Sequence, residues 1–135
     1  MSIPLVLTLA LITPISTASL QETEQVVVRG RIISLDKGAS FGLKGEDGHL
    51  YGFSADDLMA AMFTDPQVRS RQLQITARLH PAKRLEVIKV QSILNGMLYD
   101  LYYYCELCNI TAYAPGPCPC CRKELEFKET PAEQH

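Results

Sequence analysis

All five cysteines of this chain lie between Cys105 and Cys121. Cys105 and Cys108 form one C-x2-C pair. Cys118 and Cys121 form a second after nine intervening residues, with Cys120 between them. Two such pairs suit one tetrahedral ion. Each tight turn converges two sulfurs and aims backbone N–H groups at them. Pro115-Gly116-Pro117, in the intervening loop, can reverse the chain and bring the pairs together. The expected metal ligands are therefore Cys105, Cys108, Cys118 and Cys121. Four thiolates suit Zn²⁺ as a closed structural site, and they also suit iron. Cys120 adds a fifth soft ligand, which is compatible with Cu(I) or with metal exchange. A zinc ion held by four cysteines has no open coordination position, so hydrolysis there is not expected.

Two other fates compete for these thiols. Outside the cytosol, five cysteines can make two disulfides and leave one thiol free. A C-x2-C pair can also be a dithiol redox catalyst, which needs a low-pKa cysteine at a helix N-terminus near a base. Here the first pair follows a strand-like segment and no histidine lies near. The residues favour metal over disulfides, and disulfides over a dithiol catalyst.

No other segment concentrates chemistry. There is no G-x-S-x-G, P-loop or H-E-x-x-H pattern. Asp56 and Asp57 are adjacent and point different ways on a helix. His49 and His80 read as exposed turn residues, and Met59 and Met62 as core packing. The chain reads as a binding module and not an enzyme. Arg69, Arg71, Arg78, Lys83, Arg84 and Lys89 form a locally basic stretch opposed only by Glu86. With Tyr51 and Phe53 as stacking platforms, that face could take a single strand, another polyanion or a protein partner. The alternative is a solvated sheet face. A net charge of -2 argues against a dedicated nucleic-acid binder.

The elements that must position the cysteines come before them. Residues 1–19 carry no charged side chain, and the apolar run Leu5–Ile12 is too short to span a bilayer. Ser16 and Ala18 fit a small-x-small cleavage signal. Residues 1–18 are expected to be a signal peptide, giving a periplasmic or secreted protein with no transmembrane helix after cleavage. Val26–Leu35 is rich in β-branched residues and reads as a strand, with a bend at Gly30. Ser40–Lys44 and His49–Ser54 flank a glycine-containing turn and form a hairpin. Ala55–Phe63 has helical spacing, with Asp65-Pro66 ending it. Leu73–Leu79 alternates as a half-buried strand. Arg84–Leu94 is another strand, whose alternation slips between Val87 and Ile88 as a β-bulge would cause. Leu98–Tyr104 is an aromatic strand leading into Cys105, and its tyrosines Tyr99, Tyr102, Tyr103 and Tyr104 are expected to anchor the cysteine segment.

The element order over Val26–Leu94 resembles the OB-fold, a five-stranded barrel with a helix between strands three and four. The expected class is mainly β: an OB-like barrel over residues 24–96, then a four-cysteine metal-binding module over 97–128 and a flexible tail over 129–135. Tyr104-Cys105-Glu106-Leu107-Cys108-Asn109, with Cys118-Pro119-Cys120-Cys121, is similar to the knuckles of rubredoxin-like and zinc-ribbon proteins. That resemblance implies the same four ligands and a zinc or iron ion. Asn109 and Arg122 stand where the family pattern has glycines.

Overall fold

The computed structural model describes residues 24–38, 40–54 and 57–132, together with 2–4, 8 and 10 near the N-terminus. Apart from those five positions, the expected signal segment 1–18 lies outside the described residues, cleavage site included. Among the described residues no helix is long and apolar enough to cross a membrane.

The chain is mainly β. Its strands are β1 (Glu24–Leu35), β2 (Ser40–Gly45), β3 (Leu50–Phe53), β4 (Leu73–His80), β5 (Arg84–Leu94), β6 (Met97–Cys105), β7 (Ile110–Ala112) and β8 (Glu126–Pro131). The first five close a hydrogen-bonded ring. β1 pairs antiparallel with β2 and with β4, β2 with β3, and β4 with β5. A short parallel pairing of β3 with β5, Gly52 to Arg84 and Phe53 to Leu85, completes it.

Two local features permit closure. β1 serves two neighbours in succession: residues 24–30 face β4 and residues 30–35 face β2. Gly30 belongs to both ladders, at the expected bend. A Cβ there would stand 2.1 Å from the Lys44 carbonyl oxygen. Only a glycine lets the two backbones approach so closely. On the other side of the ring, Thr76 faces Lys89 while Ala77 faces Val87. Ile88 is thus the extra residue of a β-bulge, where the alternation of β5 slips. The bulge bends the strand and increases its local twist.

The alternation of β4 has the predicted sense. Leu73, Ile75 and Ala77 are buried, and Arg78 is exposed. They pack with Val28, Ile32, Leu43, Leu85 and Val90 in one core. Met62 and Phe63 belong to it as well, both with no exposed surface, as core packing requires.

The helical connection differs from expectation. Leu58–Thr64 is a 3-10 helix, and a separate short helix α1 (Pro66–Arg69) follows. Ala55 and Asp56 of the expected helix lie outside the described residues, and Asp57 caps the segment that follows. One carboxylate oxygen accepts from Met59 N–H at 3.0 Å, and the other from Val87 N–H of β5 at 2.9 Å. Asp65 does not simply stop the segment. Its side chain caps α1 by accepting from Gln67 N–H at 2.9 Å, and Pro66 takes the first helical position, where no N–H is needed.

The C-terminal segment is a three-stranded extension of the same sheet. β6 pairs with β5 through Met97–Asp100 and with β7 through Tyr103–Cys105. β8 pairs with β6 from Tyr99 to Tyr104. Within the expected tail 129–135, β8 continues through Pro131 and Ala132 N–H reaches the Leu98 carbonyl at 3.0 Å, while residues 133–135 lie outside the described residues.

Two polar links fix this extension to the ring. Tyr103 is buried in β6, and its hydroxyl donates to Asp65 Oδ2 at 2.7 Å. One carboxylate therefore caps α1 and anchors β6. Burial, with Asp65 second, pushes the Tyr103 phenol far above its ordinary range, so it stays a donor. Tyr103→Phe is expected to lose about 1–3 kcal/mol in denaturant unfolding, because a buried carboxylate oxygen loses its partner. Unchanged stability would mean that this bond does not hold the extension.

Glu129 of β8 makes the second link. It accepts from Arg71 Nε at 2.7 Å and Nη2 at 3.2 Å, and from the Ser92 hydroxyl. The Arg71 guanidinium also lies 5.0 Å from the centre of the Phe127 ring. Burial opposes ionisation of Glu129, but Arg71 and Ser92 outweigh it and hold the carboxyl below its ordinary 4.5. Such a group stabilises the fold above its unfolded value, and the contribution is lost as pH falls through the folded value. Glu129→Gln is expected to cost about 2 kcal/mol at neutral pH. It should also flatten the loss of stability that the unmodified chain shows as pH drops below 4.5. Denaturant midpoints above and below that pH check both.

Candidate metal centre

β6 delivers Cys105 at its last residue, and β7 begins at Ile110, which pairs back with Cys105. The four residues between must turn within a hairpin, and Asn109 makes this possible with φ 54°. Asn tolerates that left-handed conformation better than most residues. The tightness of the turn directs the N–H groups of Cys108 and Leu107 at the Cys105 sulfur. The second turn repeats the arrangement. The N–H groups of Cys121 and Cys120 point at the Cys118 sulfur. Arg122 takes φ 65°, and its N–H donates to the Cys118 carbonyl at 2.8 Å. Arg122 therefore adopts the conformation for which glycine is usual, at a cost of about 1–2 kcal/mol. Gly116, at φ 133°, reverses the loop, and Leu125 N–H closes it onto the Gly116 carbonyl at 2.9 Å.

The two turns bring the predicted ligands together. The sulfurs of Cys105, Cys108, Cys118 and Cys121 all lie within 4.8 Å of one another. Cys105 and Cys121 are 3.5 Å apart. Zinc–sulfur bonds of about 2.3 Å in a tetrahedron require sulfurs about 3.8 Å apart. The cluster thus matches the donor type, number and spacing of a four-thiolate ion. All five cysteines are free thiols.

The electrostatics fit an ion as well. The N–H groups of Cys121 and Cys120, with the Cys105 and Cys121 thiols, bring Cys118 down to about 7 despite its burial. Cys108 is pushed well above the ordinary thiol range, first by Cys120, then by burial and the other sulfurs. For Cys105 the Cys108 N–H favours the thiolate, but burial and the Cys121 and Cys118 sulfurs outweigh it. The cluster accommodates one negative charge readily and resists a second unless a cation enters. Metal uptake must displace the remaining protons, so affinity weakens as pH falls.

The other predicted residues are not gathered here, and four cations of the basic stretch are engaged by neighbouring groups. Arg69 donates to the Phe63 and Thr64 carbonyls and stacks over Phe41, and Arg71 is held by Glu129. Lys89 lies 3.5 Å from Asp100, and Lys83 is 2.7 Å from the His49 ring. Tyr51 is no stacking platform, being buried with its hydroxyl on Asp47 at 2.7 Å. Phe53 packs on Phe63, ring centres 4.7 Å apart. His80 pairs with Glu86 at 2.9 Å. Of the four tyrosines, Tyr103 is the buried anchor. Tyr102 and Tyr104 instead line a groove of about 850 Å³ with Tyr113, Ile88 and Met59.

Sequence reasoning missed Asp65, Ser92 and Glu129. The one available signal was Asp65 before Pro66, a helix-start pattern as well as a stop. Compared with known proteins, the chain matches no protein-family model, no curated protein and no solved structure.

Proposed function

We propose that this chain is a small exported metal-binding protein whose four cysteines hold one Zn²⁺ as a structural ion. The carrying observation is the four-sulfur cluster, with every sulfur within 4.8 Å of the others. Backbone N–H groups aimed at Cys105 and Cys118 support the reading, because they stabilise thiolates without filling a coordination position. We read the two turns as rubredoxin-like or zinc-ribbon knuckles. We read the five-stranded ring as an OB-like barrel that carries them. Its support is the pairing order β1–β2–β3–β5–β4 with the helical segment between β3 and β4. Export to the periplasm or the exterior is supported by the composition of residues 1–18. There a bound ion would protect the thiols from oxidation. A closed four-thiolate site suits a binding or interaction module better than an enzyme.

One observation favours a second reading. The same paired N–H···S turns suit iron, which would make the chain a rubredoxin-like electron carrier. Metal analysis with a visible spectrum separates the two. The zinc reading expects a colourless, redox-silent protein, and iron–thiolate absorption would replace it with the second.

A further inference from the structure

β6 is paired on both edges, and one of the two is interrupted. β8 occupies the first edge from Tyr99 to Tyr104. On the second, β5 stops at Asp100 and β7 starts at Tyr103, so Leu101 and Tyr102 have no strand beside them there. The neighbours diverge because β5 turns away into the ring, where it pairs with β4. The space between them is the groove of about 850 Å³. Its ring wall is apolar, with Met59, Ile88 and Val90. Its other wall carries Tyr102, Tyr104 and Tyr113. Leu101, Tyr103 and Cys105 are buried, so Tyr102 and Tyr104 share the opposite face of β6, about 7 Å apart along the strand. Tyr113 is half exposed.

The charged groups of the groove cancel. Lys89 and Lys128 line it together with Asp100 and Glu106. Lys89 lies 3.5 Å from Asp100, and Lys128 lies 3.1 Å from Glu126. No net field selects an ion there. An uncharged ligand rich in hydroxyls can use every one of these groups, since ammonium and hydroxyl groups donate and carboxylates accept. The negative faces of the tyrosine rings attract polarised C–H groups. A sugar ring, with hydroxyls at its edge and C–H groups on its faces, meets both demands.

We propose that this groove binds a neutral oligosaccharide and that the cysteine turns hold its tyrosine wall in place. The first part stands on the groove alone, and the second rests on the metal-binding reading above. Tyr104 immediately precedes Cys105, and its hydroxyl donates to Asn109, the residue after Cys108. Thr111, also in the groove, faces Tyr104 across the β6–β7 pairing. Glu106 belongs to the first cysteine turn itself. An ion that fixes this hairpin therefore fixes the groove wall built on it. The spacing of the tyrosines suits several linked rings better than a single sugar.

Tyrosine emission reports binding directly, because the chain has six tyrosines and no tryptophan. The full chain is titrated with cellohexaose, chitohexaose and maltohexaose. At least one should saturate the signal with a Kd of about 1 mM or tighter, and added salt should not weaken it. Tyr113→Ala should weaken that binding at least about tenfold, with metal content and denaturant midpoint unchanged. The first part is overturned if none of the three sugars saturates, if Tyr113→Ala binds as the unmodified chain does, or if a heparin hexasaccharide binds more tightly and in a salt-sensitive way. Removing the metal with a chelator should abolish sugar binding, and binding that survives its removal overturns the second part. A chain that takes up no metal and still binds sugar contradicts the metal reading and leaves the groove site standing, which separates the two failures.

Discussion

Cys118→Ser is expected to abolish metal binding and to unfold the segment from Cys105 to Leu125 while the five-stranded ring persists. Cys118 has no exposed surface and receives two backbone N–H groups, so no neighbouring thiol can take its place. The segment has little else to hold it. Its own buried residues are Cys105, Cys118 and Leu125, and the loop between β7 and β8 contains no regular element. A structural zinc ion contributes about 10–16 kcal/mol of binding free energy at neutral pH, far more than these few side chains can replace. The ring closes its own pairing and supplies most of the shared core, so it should survive. Metal analysis with amide hydrogen exchange reads both effects. Protection should vanish around both cysteine turns and remain in β1 and β4. Chelation of the unmodified chain should give the same pattern. Unaltered protection in the variant would show that the turns hold their shape without an ion.

The second large effect is at Gly30. Gly30→Val is expected to destabilise the ring by more than about 3 kcal/mol, beyond the usual range for an overpacked site. The added Cβ would meet the Lys44 carbonyl at 2.1 Å and the Gly45 Cα at 2.9 Å. Both are backbone atoms, so no side chain can move aside. β1 would have to give up its pairing with β2 at the residue that links both ladders. Denaturant unfolding of the purified variant measures this. A midpoint equal to that of the unmodified chain would show that closure does not depend on this approach.

Much of the architecture was legible because it is local. β-Branched runs, alternation and turn residues locate the first six strands to within a few residues. The bulge at Ile88 and the bend at Gly30 leave marks in the pattern itself. The four-cysteine cluster is legible for the same reason, since the spacing within each C-x2-C pair is a local constraint. Contacts between distant residues leave no such mark. Arg71 and Glu129 are 58 positions apart, as Tyr103 and Asp65 are 38. Each looks like an ordinary surface residue until the fold brings its partner near. That is why Glu129 reads as tail and Arg71 as part of a basic face. Tyr51 misleads in the opposite direction. An aromatic on a hairpin suggests a platform, but Asp47 four residues earlier gives its hydroxyl a partner and lets the ring turn inward. Arg122 shows the limit of motif reasoning, because a backbone hydrogen bond to Cys118 accompanies a conformation that the residue type disfavours.

The most direct test of the central claim is metal content and thiol state, measured together on protein purified without added metal or reductant. The account predicts about one equivalent of a transition metal, zinc first, with four cysteines protected from alkylation until a chelator is added. One thiol should react at once, and the exposure of Cys120 makes it the expected one. Less than about a tenth of an equivalent of any transition metal, with the cysteines paired as disulfides, would contradict it, because a folded four-thiolate site depends on its ion.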